Sequence, residues 1–433
     1  MTLVFIIFFI LMLMGMPVAF AIGISGTCFF LQQPDLPFSI PTQLILTQTQ
    51  SFVLLAIPLF LFAGNLLNES GITRRLMKLS SVLAGHFRAG LAQVNTILAA
   101  MMGGITGSAI ADATMQSRVL GEGMLQKGYS RGFAAGVIGL SSLIVTMIPP
   151  GIGLILYGSI GEVSIGRLFA GGLVPGFLMT ILMMTAITLT AKQKGYLPER
   201  AARASLSEAL VTFWDCIWAF LFPILLLVGL RFGLFTPSEA GAFAVAYGLL
   251  IGLAVYREIT WKKFLKTLED TVADVGMVMI LIAFSSVFSY GLVWEHVPQA
   301  LAEFMLSISG VPWVIMFIMV AFLIIAGMFM DSTVLILLLT SILIPVAKTA
   351  GIDLVYFGVI MVLTLTVGLL TPPVGVVMYI VCSIFKCSIG ELFRESWMLL
   401  AAVLIVVVLC IFIPDIILFV PNLMFGNANS PPI

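Results

Sequence analysis

Two short polar stretches interrupt an otherwise apolar chain, and their residue types could hold small ions. The first is Gly103 to Asp112, GGITGSAIAD; the second is Gly327 to Thr333, GMFMDST. A break of this kind leaves unpaired carbonyls at one half-helix end and unpaired N–H groups at the other. Carbonyls, helped by Ser and Thr hydroxyls, suit Na⁺. A half-helix N-terminus suits a carboxylate, through its free N–H groups and the positive end of its dipole.

The expected cation ligands in the first stretch are Gly104, Thr106, Gly107 and Ser108, with the carbonyls of Pro149, Pro150 and Gly151. In the second they are Gly327, Met328, Asp331 and Ser332, with Thr371, Pro372 and Val374. An anionic substrate is expected between the two tips, near Asn65, Ser108, Ala109, Asp112, Asp331, Thr333, Pro373 and Gly375. Asp112 and Asp331 are the costliest of these, because acids inside a membrane are rare and usually functional. A helix cap competes with function at each, since each lies in the first turn after a break. The competition is even at Asp112, while Asp331 favours function. Small residues at breaks also allow close helix packing with no ligand involved, and Asn65 could face the interface instead of the cavity.

The two stretches are copies. Gly327 stands 223 residues after Gly104, and the same offset carries Gly128 to Gly351 and Pro149-Pro150 to Pro372-Pro373. One residue further out of step, Ser164 to Phe169 (SIGRLF) maps to Ser388 to Phe393 (SIGELF). Four landmarks in order over about sixty residues define a repeat.

Composition says what medium holds it. Of 433 residues, 61% are hydrophobic and 9% charged, against about 25% charged in soluble domains. Apolar runs of about twenty residues recur, each long enough to cross a bilayer. The class is an all-α polytopic membrane protein. Basic and acidic residues balance at 20 each, so nothing points to nucleic acid. The apolar run from Leu3 to Gly23 lacks the basic flank of a signal peptide. Cys28, Cys216, Cys382, Cys387 and Cys410 lie in apolar surroundings and read as packing residues, not disulfides or a metal site.

The expected organisation is an N-terminal span and loop over 1–50, with a possible kink at Gly15-Met16-Pro17, and a first repeat over 51–204. That repeat holds a span, a re-entrant hairpin (91–127) whose arms are too short to cross, a broken helix (132–160) and a closing span. Two connecting spans fill 205–270. The second repeat, 271–420, has its hairpin at 312–348 and its broken helix at 355–385, and 421–433 is a polar, loose tail. Charge orients the copies. The loop from Glu69 to Gly90 carries Arg74, Arg75, Lys78 and Arg88, whereas its counterpart from Trp294 to Pro312 has no Lys or Arg. Basic short loops are cytoplasmic, so the repeats are inverted. Inverted repeats with discontinuous helices near the midplane are the architecture of secondary transporters.

At this level the chain resembles a known family. The stretches LLAIPLFLFAGNLLNESGITRRL, GHFRAGLAQVN, GITGSAIAD, IPPGIGLILYG, SIGRLFAGGLVPG, GLFTPSEAGA, VYREITW, AGIDLVYFGVIMVL and GLLTPPVG are similar to the large, DctM-type membrane subunit of tripartite ATP-independent periplasmic (TRAP) transporters. The resemblance implies a Na⁺-driven elevator importing an organic acid anion such as a dicarboxylate or sialic acid. It implies a periplasmic substrate-binding protein and a small four-helix membrane subunit as partners, a multi-pass place in the bacterial inner membrane, and no cofactor beyond the coupling ion. The chain departs from the family in three places. Glu122 stands where a proline is usual, although Pro345 keeps it in the second copy. Gly151 and Gly153 interrupt an IPPSIP-like segment and remove a serine hydroxyl. Asn65 stands where Glu is frequent.

Other classes compete. A self-sufficient Na⁺/carboxylate symporter would need no binding protein. Gly23-Ile24-Ser25-Gly26 looks like the serine motif of an intramembrane protease, but the two histidines, His86 and His296, lie in loops and offer no base. No HExxH or GxxxxGK[ST] occurs, which disfavours a metalloprotease and a primary pump. A channel would not need two copies of a broken-helix site.

Overall fold

The computed structural model describes residues 1–426 and is helical throughout, with no strand among the described residues. The chain opens with α1 (Thr2–Leu13), α2 (Val18–Leu31), α3 (Ile40–Thr49), α4 (Ala56–Glu69) and α5 (Ile72–Ala84). The first copy is α6 (Gly90–Gly103), α7 (Ala109–Gln126), α8 (Arg131–Val145), α9 (Ile152–Gly161) and α10 (Ile165–Lys194). Then come α11 (Leu206–Asp215), α12 (Ile217–Arg231), α13 (Pro237–Leu250), α14 (Trp261–Trp294) and α15 (Val297–Ile308). The second copy is α16 (Pro312–Gly327), α17 (Ser332–Thr349), α18 (Leu354–Gly368), α19 (Val376–Phe385) and α20 (Ile389–Phe412), and α21 (Asp415–Phe425) follows. Among the described residues six helices are long and apolar enough to cross a bilayer, and α11 and α12 form one further pair bent by 58°.

The repeat seen in the sequence recurs in the helix bounds. Both ends of α8 and α18 are 223 residues apart, and both ends of α9 and α19 are 224 apart. Local chemistry repeats with them: Ser164 caps α10 and Ser388 caps α20, each accepting from the N–H three residues on. Gly128 and Gly351, which turn each hairpin into its broken helix, both have positive φ, where a side chain would be strained.

Packing shows how the copies are related. The second hairpin arm of each copy lies on the second half of the other's broken helix: α7 against α19, and α17 against α9. Likewise α8 packs on α20 as α18 packs on α10. Such an exchange of partners is what a two-fold axis produces. The equivalent helices α10 and α20 are antiparallel. Lys194 at the end of α10 is ion-paired with Glu395 near the start of α20. Arg167 at the start of α10 donates to Asn422 Oδ1 (2.8 Å) and to the Gly426 carbonyl (2.6 Å), both beyond the end of α20. The repeats are therefore inverted.

Several local expectations change. Residues 1–31 are not one kinked span: Gly15 at φ +81 and Pro17 separate α1 from α2, and the two pack on each other. Residues 40–49 form α3 where a loop was expected, because Pro41 sits in the first turn, where it needs no hydrogen-bond donor. The hairpin arms are not uniformly short. The second arms α7 and α17 each have 18 residues, about 27 Å at 1.5 Å per residue. Pro414 ends the last span, and Asp415 to Phe425 is helical where a span end and a loose tail were expected; the rest of that tail, 427–433, lies outside the described residues. The repeat also reaches further than the sequence suggested, since α13 lies on α4 as α2 lies on α14.

Candidate functional site

The unwound segment of the first tip runs from Gly104 to Ser108 and is held against its own copy's Pro-Pro break. Added Cβ atoms measure the approach. At Gly104 a Cβ would lie 3.7 Å from the Pro149 carbonyl oxygen and 3.3 Å from the Pro223 ring on α12. At Gly107, whose φ is +59, a Cβ would collide with the Pro150 carbonyl oxygen and come within 3.2 Å of Ile152 N. Across the tip, Gly64 on α4 lets the Ile105 carbonyl within 2.9 Å of where its Cβ would be. Gly104, Gly107, Pro149, Pro150 and Gly151 are all buried. Among the described backbone bonds outside helices, the carbonyls of Ile105, Pro149 and Pro150 receive no N–H. Buried carbonyls without donors, brought together by glycines, form a surface a small cation could satisfy.

The second tip is built differently. The Met328 carbonyl, equivalent to that of Ile105, accepts from Val374 N (3.2 Å) and Gly375 N (3.0 Å). Gly327 and Gly368 meet backbone to backbone: a Cβ on Gly327 would be 3.1 Å from Gly368 Cα. Pro372, Pro373 and Val374 are exposed. This tip is closed on itself and faces outward, so the Met328 carbonyl is already occupied.

The two acids part company here. Asp331 is the N-cap of α17, its Oδ1 accepting from Thr333 N at 2.8 Å. Its equivalent in the first copy, Ser108, caps α7 and accepts from Ala111 N at 3.4 Å. One position thus does the same backbone work in both copies, once neutral and once as an acid. Asp112 is not a cap: it lies one turn into α7, completely buried, with Oδ2 accepting from Gln116 Nε2 at 2.6 Å. Its Oδ1 and the Gln116 Oε1 have no partner, an arrangement costly in an apolar setting.

Other expected ligands are placed as follows. The hydroxyls of Thr106 and Thr371 turn back onto the carbonyls of Met102 (3.4 Å) and Val367 (2.9 Å). Ala109 is buried at the start of α7, Ser332 and Thr333 open α17, and Gly375, at φ +53, begins α19. Asn65 faces away from the tip that its neighbour Gly64 touches: its Nδ2 donates to Thr271 Oγ1 (3.0 Å) and reaches Asp274 Oδ2 at 3.4 Å, both on α14. The protease-like stretch is packing. Ser25 is buried and donates to the Ala21 carbonyl at 2.7 Å, while Gly26 lets the backbone of Phe288 on α14 come within 2.9 Å of a Cβ.

Sequence reasoning missed two polar features. Asn95, fully buried, donates to Ser141 Oγ at 2.5 Å between α6 and α8; an amide inside an apolar helix was the available signal. A cavity of about 320 Å³ between α14 and α17 is lined by Gln48, Ser285, Ser286, Ser289, Tyr290 and Ser341. Ser289 and Ser341 meet across it at 3.1 Å, and the Ser285 hydroxyl has no partner.

Residues 5–416 match the family described as the tripartite ATP-independent periplasmic transporter, DctM component. The chain belongs to that family. It is 33% identical over 419 residues to the sialic acid TRAP transporter large permease protein SiaM of Vibrio cholerae, covering 97% of this chain and 98% of that one. It is 30% identical over 428 residues to the C4-dicarboxylate TRAP transporter large permease protein DctM of Rhodobacter capsulatus, covering 96% and 97%. Among solved structures, Neisseria gonorrhoeae MtrF, described as illuminating a class of antimetabolite efflux pumps, superposes with a TM-score of 0.53 at 13% identity, over 87% of this chain and 84% of that one. That likeness concerns the fold alone. The chain is a multi-pass TRAP permease, and its family members are transporters.

Proposed function

We propose that this permease imports an organic acid anion coupled to Na⁺. The observation that carries the reading is the buried first tip, where the Ile105, Pro149 and Pro150 carbonyls lack donors. The first-copy ligands would be Gly104, Gly107, Pro149, Pro150 and Gly151, with Thr106 contributing once its hydroxyl turns. In the second copy Asp331 supplies negative charge beside Gly327, Ser332 and Thr371. A carboxylate would sit nearer Ser108, whose helix end carries a neutral cap, than Asp331, whose carboxylate already occupies the α17 N-terminus. The named substrates of the relatives, sialic acid and C4-dicarboxylates, share the carboxylate this requires.

The moving body in this reading comprises the hairpins (91–127 and 312–348) and broken helices (132–160 and 355–385), interlocked through α7·α19 and α9·α17. It would slide past a frame of α2, α4, α13 and α14 in an elevator motion. A small four-helix subunit would brace that frame, and a periplasmic binding protein would deliver the anion to this permease in the bacterial inner membrane.

Uptake into proteoliposomes tests the whole. The permease with its small subunit is given radiolabelled organic acids, with or without an inward Na⁺ gradient and the cognate binding protein. Uptake that needs both supports the reading. Uptake indifferent to Na⁺ overturns the coupling, and uptake needing no binding protein makes the chain a self-sufficient symporter.

A further inference from the structure

In the sequence Cys382 and Cys387 read as packing residues; the structure brings them together at one helix end. Helix α19 ends with Lys386 in the left-handed region (φ +50), and Cys387 N donates to the Cys382 carbonyl at 3.2 Å. This is the six-to-one bond of a Schellman motif, in which the first residue past the left-handed one folds back over the last helical turn. That contact is ordinarily apolar; here both residues placed at it are cysteines, Cys382 in the last helical turn and Cys387 just past the left-handed residue. Cys382 is buried at 6% exposure, and Cys387 is partly open.

The first copy supplies an internal control. Helix α9 ends the same way, with Glu162 left-handed at φ +53 and Val163 N donating to the Gly158 carbonyl at 3.0 Å. The positions matching Cys382 and Cys387 are Gly158 and Val163. The turn therefore forms without sulfur, and the dithiol is not required by the backbone.

We propose that Cys382 and Cys387 are a redox-active dithiol that low-molecular-weight disulfides oxidise. The more accessible Cys387 thiolate attacks the reagent disulfide, forming a mixed disulfide and releasing one reagent thiolate. The Cys382 thiolate then attacks the Cys387 sulfur and releases the second. Both protein thiols give up their protons to the medium, and the two electrons leave on the two reagent thiols. The site lies beside the start of α20, where Lys194 meets Glu395, on the side the basic loops mark as cytoplasmic. There a disulfide is a transient, sensing modification and not a structural staple. Bridging would stiffen the turn at which α19, packed on α7 through Phe385 and Gly121, passes into α20.

The test uses the full permease in membrane vesicles treated with glutathione disulfide, then alkylated and read by mass spectrometry of the 382–387 peptide. The expected result is loss of both alkylatable thiols in that peptide with no retained glutathione. Cys382→Ser should stop at a stable glutathione adduct on Cys387, and Cys387→Ser should stay unmodified. Wild-type protein that keeps the adduct, or keeps both free thiols under excess reagent, overturns the proposal. So does Cys387→Ser reacting as fast as wild type. Cys382→Ala/Cys387→Val, which removes both sulfurs and takes the first copy's valine at the second position, guards against misfolding: its uptake should resist the reagent while wild-type uptake falls and recovers with dithiothreitol. None of the peptide readouts depends on what the permease carries.

Discussion

Gly107→Ala is the sharpest perturbation of the first tip. Two costs add at this position. An L-residue in the left-handed region loses about 1–2 kcal/mol, and Gly107 has φ +59. Forcing a methyl group into packed surroundings costs a further ~1–3 kcal/mol, because the new Cβ meets the Pro150 carbonyl oxygen and Ile152 N. Gly128→Ala separates the two: Gly128 has φ +82 with nothing within 4 Å of its Cβ, so it bears only the backbone cost. Both variants should lose comparable thermal stability from the backbone term. Only Gly107→Ala should push the tip away from Pro149 and Pro150. If those carbonyls hold the coupling cation, a packing cost of about 1–3 kcal/mol appears as a ~5- to 150-fold rise in the Na⁺ concentration for half-maximal uptake. The assay is initial uptake in proteoliposomes across a Na⁺ titration, with thermal unfolding of the same preparations. Wild-type half-saturation in Gly107→Ala, beside a normal destabilisation, would refute the placement of the cation at this tip.

Three further outcomes follow from the geometry. Asp331→Ala should destabilise by about 1 kcal/mol through loss of a cap, whereas Asp331→Asn keeps the cap; if Asn also keeps wild-type Na⁺ dependence, the charge of Asp331 plays no part in coupling. Ser289→Cys/Ser341→Cys joins α14 to α17 where the two hydroxyls lie 3.1 Å apart, and cross-linking it with a bifunctional thiol reagent should abolish uptake until the link is reduced. Full uptake with the link intact would exclude sliding at that boundary. Asn65→Ala removes one interhelical bond to Thr271, worth about 0.6 kcal/mol in membrane helices, and should leave substrate half-saturation unchanged; a large rise would return Asn65 to the substrate site.

The architecture was legible because its signals are local and repeated. A membrane chain must satisfy its backbone within helices, so interruptions such as Gly103 to Asp112 and the Pro-Pro pairs stand out, and a constant offset turns them into a repeat. Charge in short loops then gave the inversion that Lys194–Glu395 and Arg167–Asn422 show in space. What stayed hidden depends on which way a side chain points. Asn65 and Gly64 are adjacent in sequence, yet one faces α14 and the other faces the tip, and composition cannot choose between two faces of a helix whose every side is apolar. Asp112 and Asp331 presented the same ambiguity. Cap and function compete at both in the sequence; in space they differ, Asp331 capping α17 and Asp112 lying buried beside Gln116.

That difference bears on why an inverted repeat should carry unequal tips. If both tips were closed as Met328 is by Val374 and Gly375, neither would offer the carbonyl at that position, and a cation would have to break protein bonds to reach it. If both were open as Ile105, Pro149 and Pro150 are, two buried clusters of unsatisfied carbonyls would each impose the desolvation cost of lone polar groups. One open and one closed tip keeps that cost to a single place and makes it relievable by an ion. The neutral cap at Ser108 and the acidic cap at Asp331 extend the asymmetry to charge. On the proposed reading, a carboxylate would meet a helix start with a neutral cap at Ser108 and an acidic cap at Asp331, which would give the anion a one-sided preference for how it lies. Exchanging the caps, Ser108→Asp with Asp331→Ser, preserves both helix starts and reverses that preference. If charge at the caps orients the substrate, the exchange should raise its half-saturation by more than tenfold while unfolding temperature holds. Unchanged half-saturation would mean that the anion is held elsewhere than at the tips.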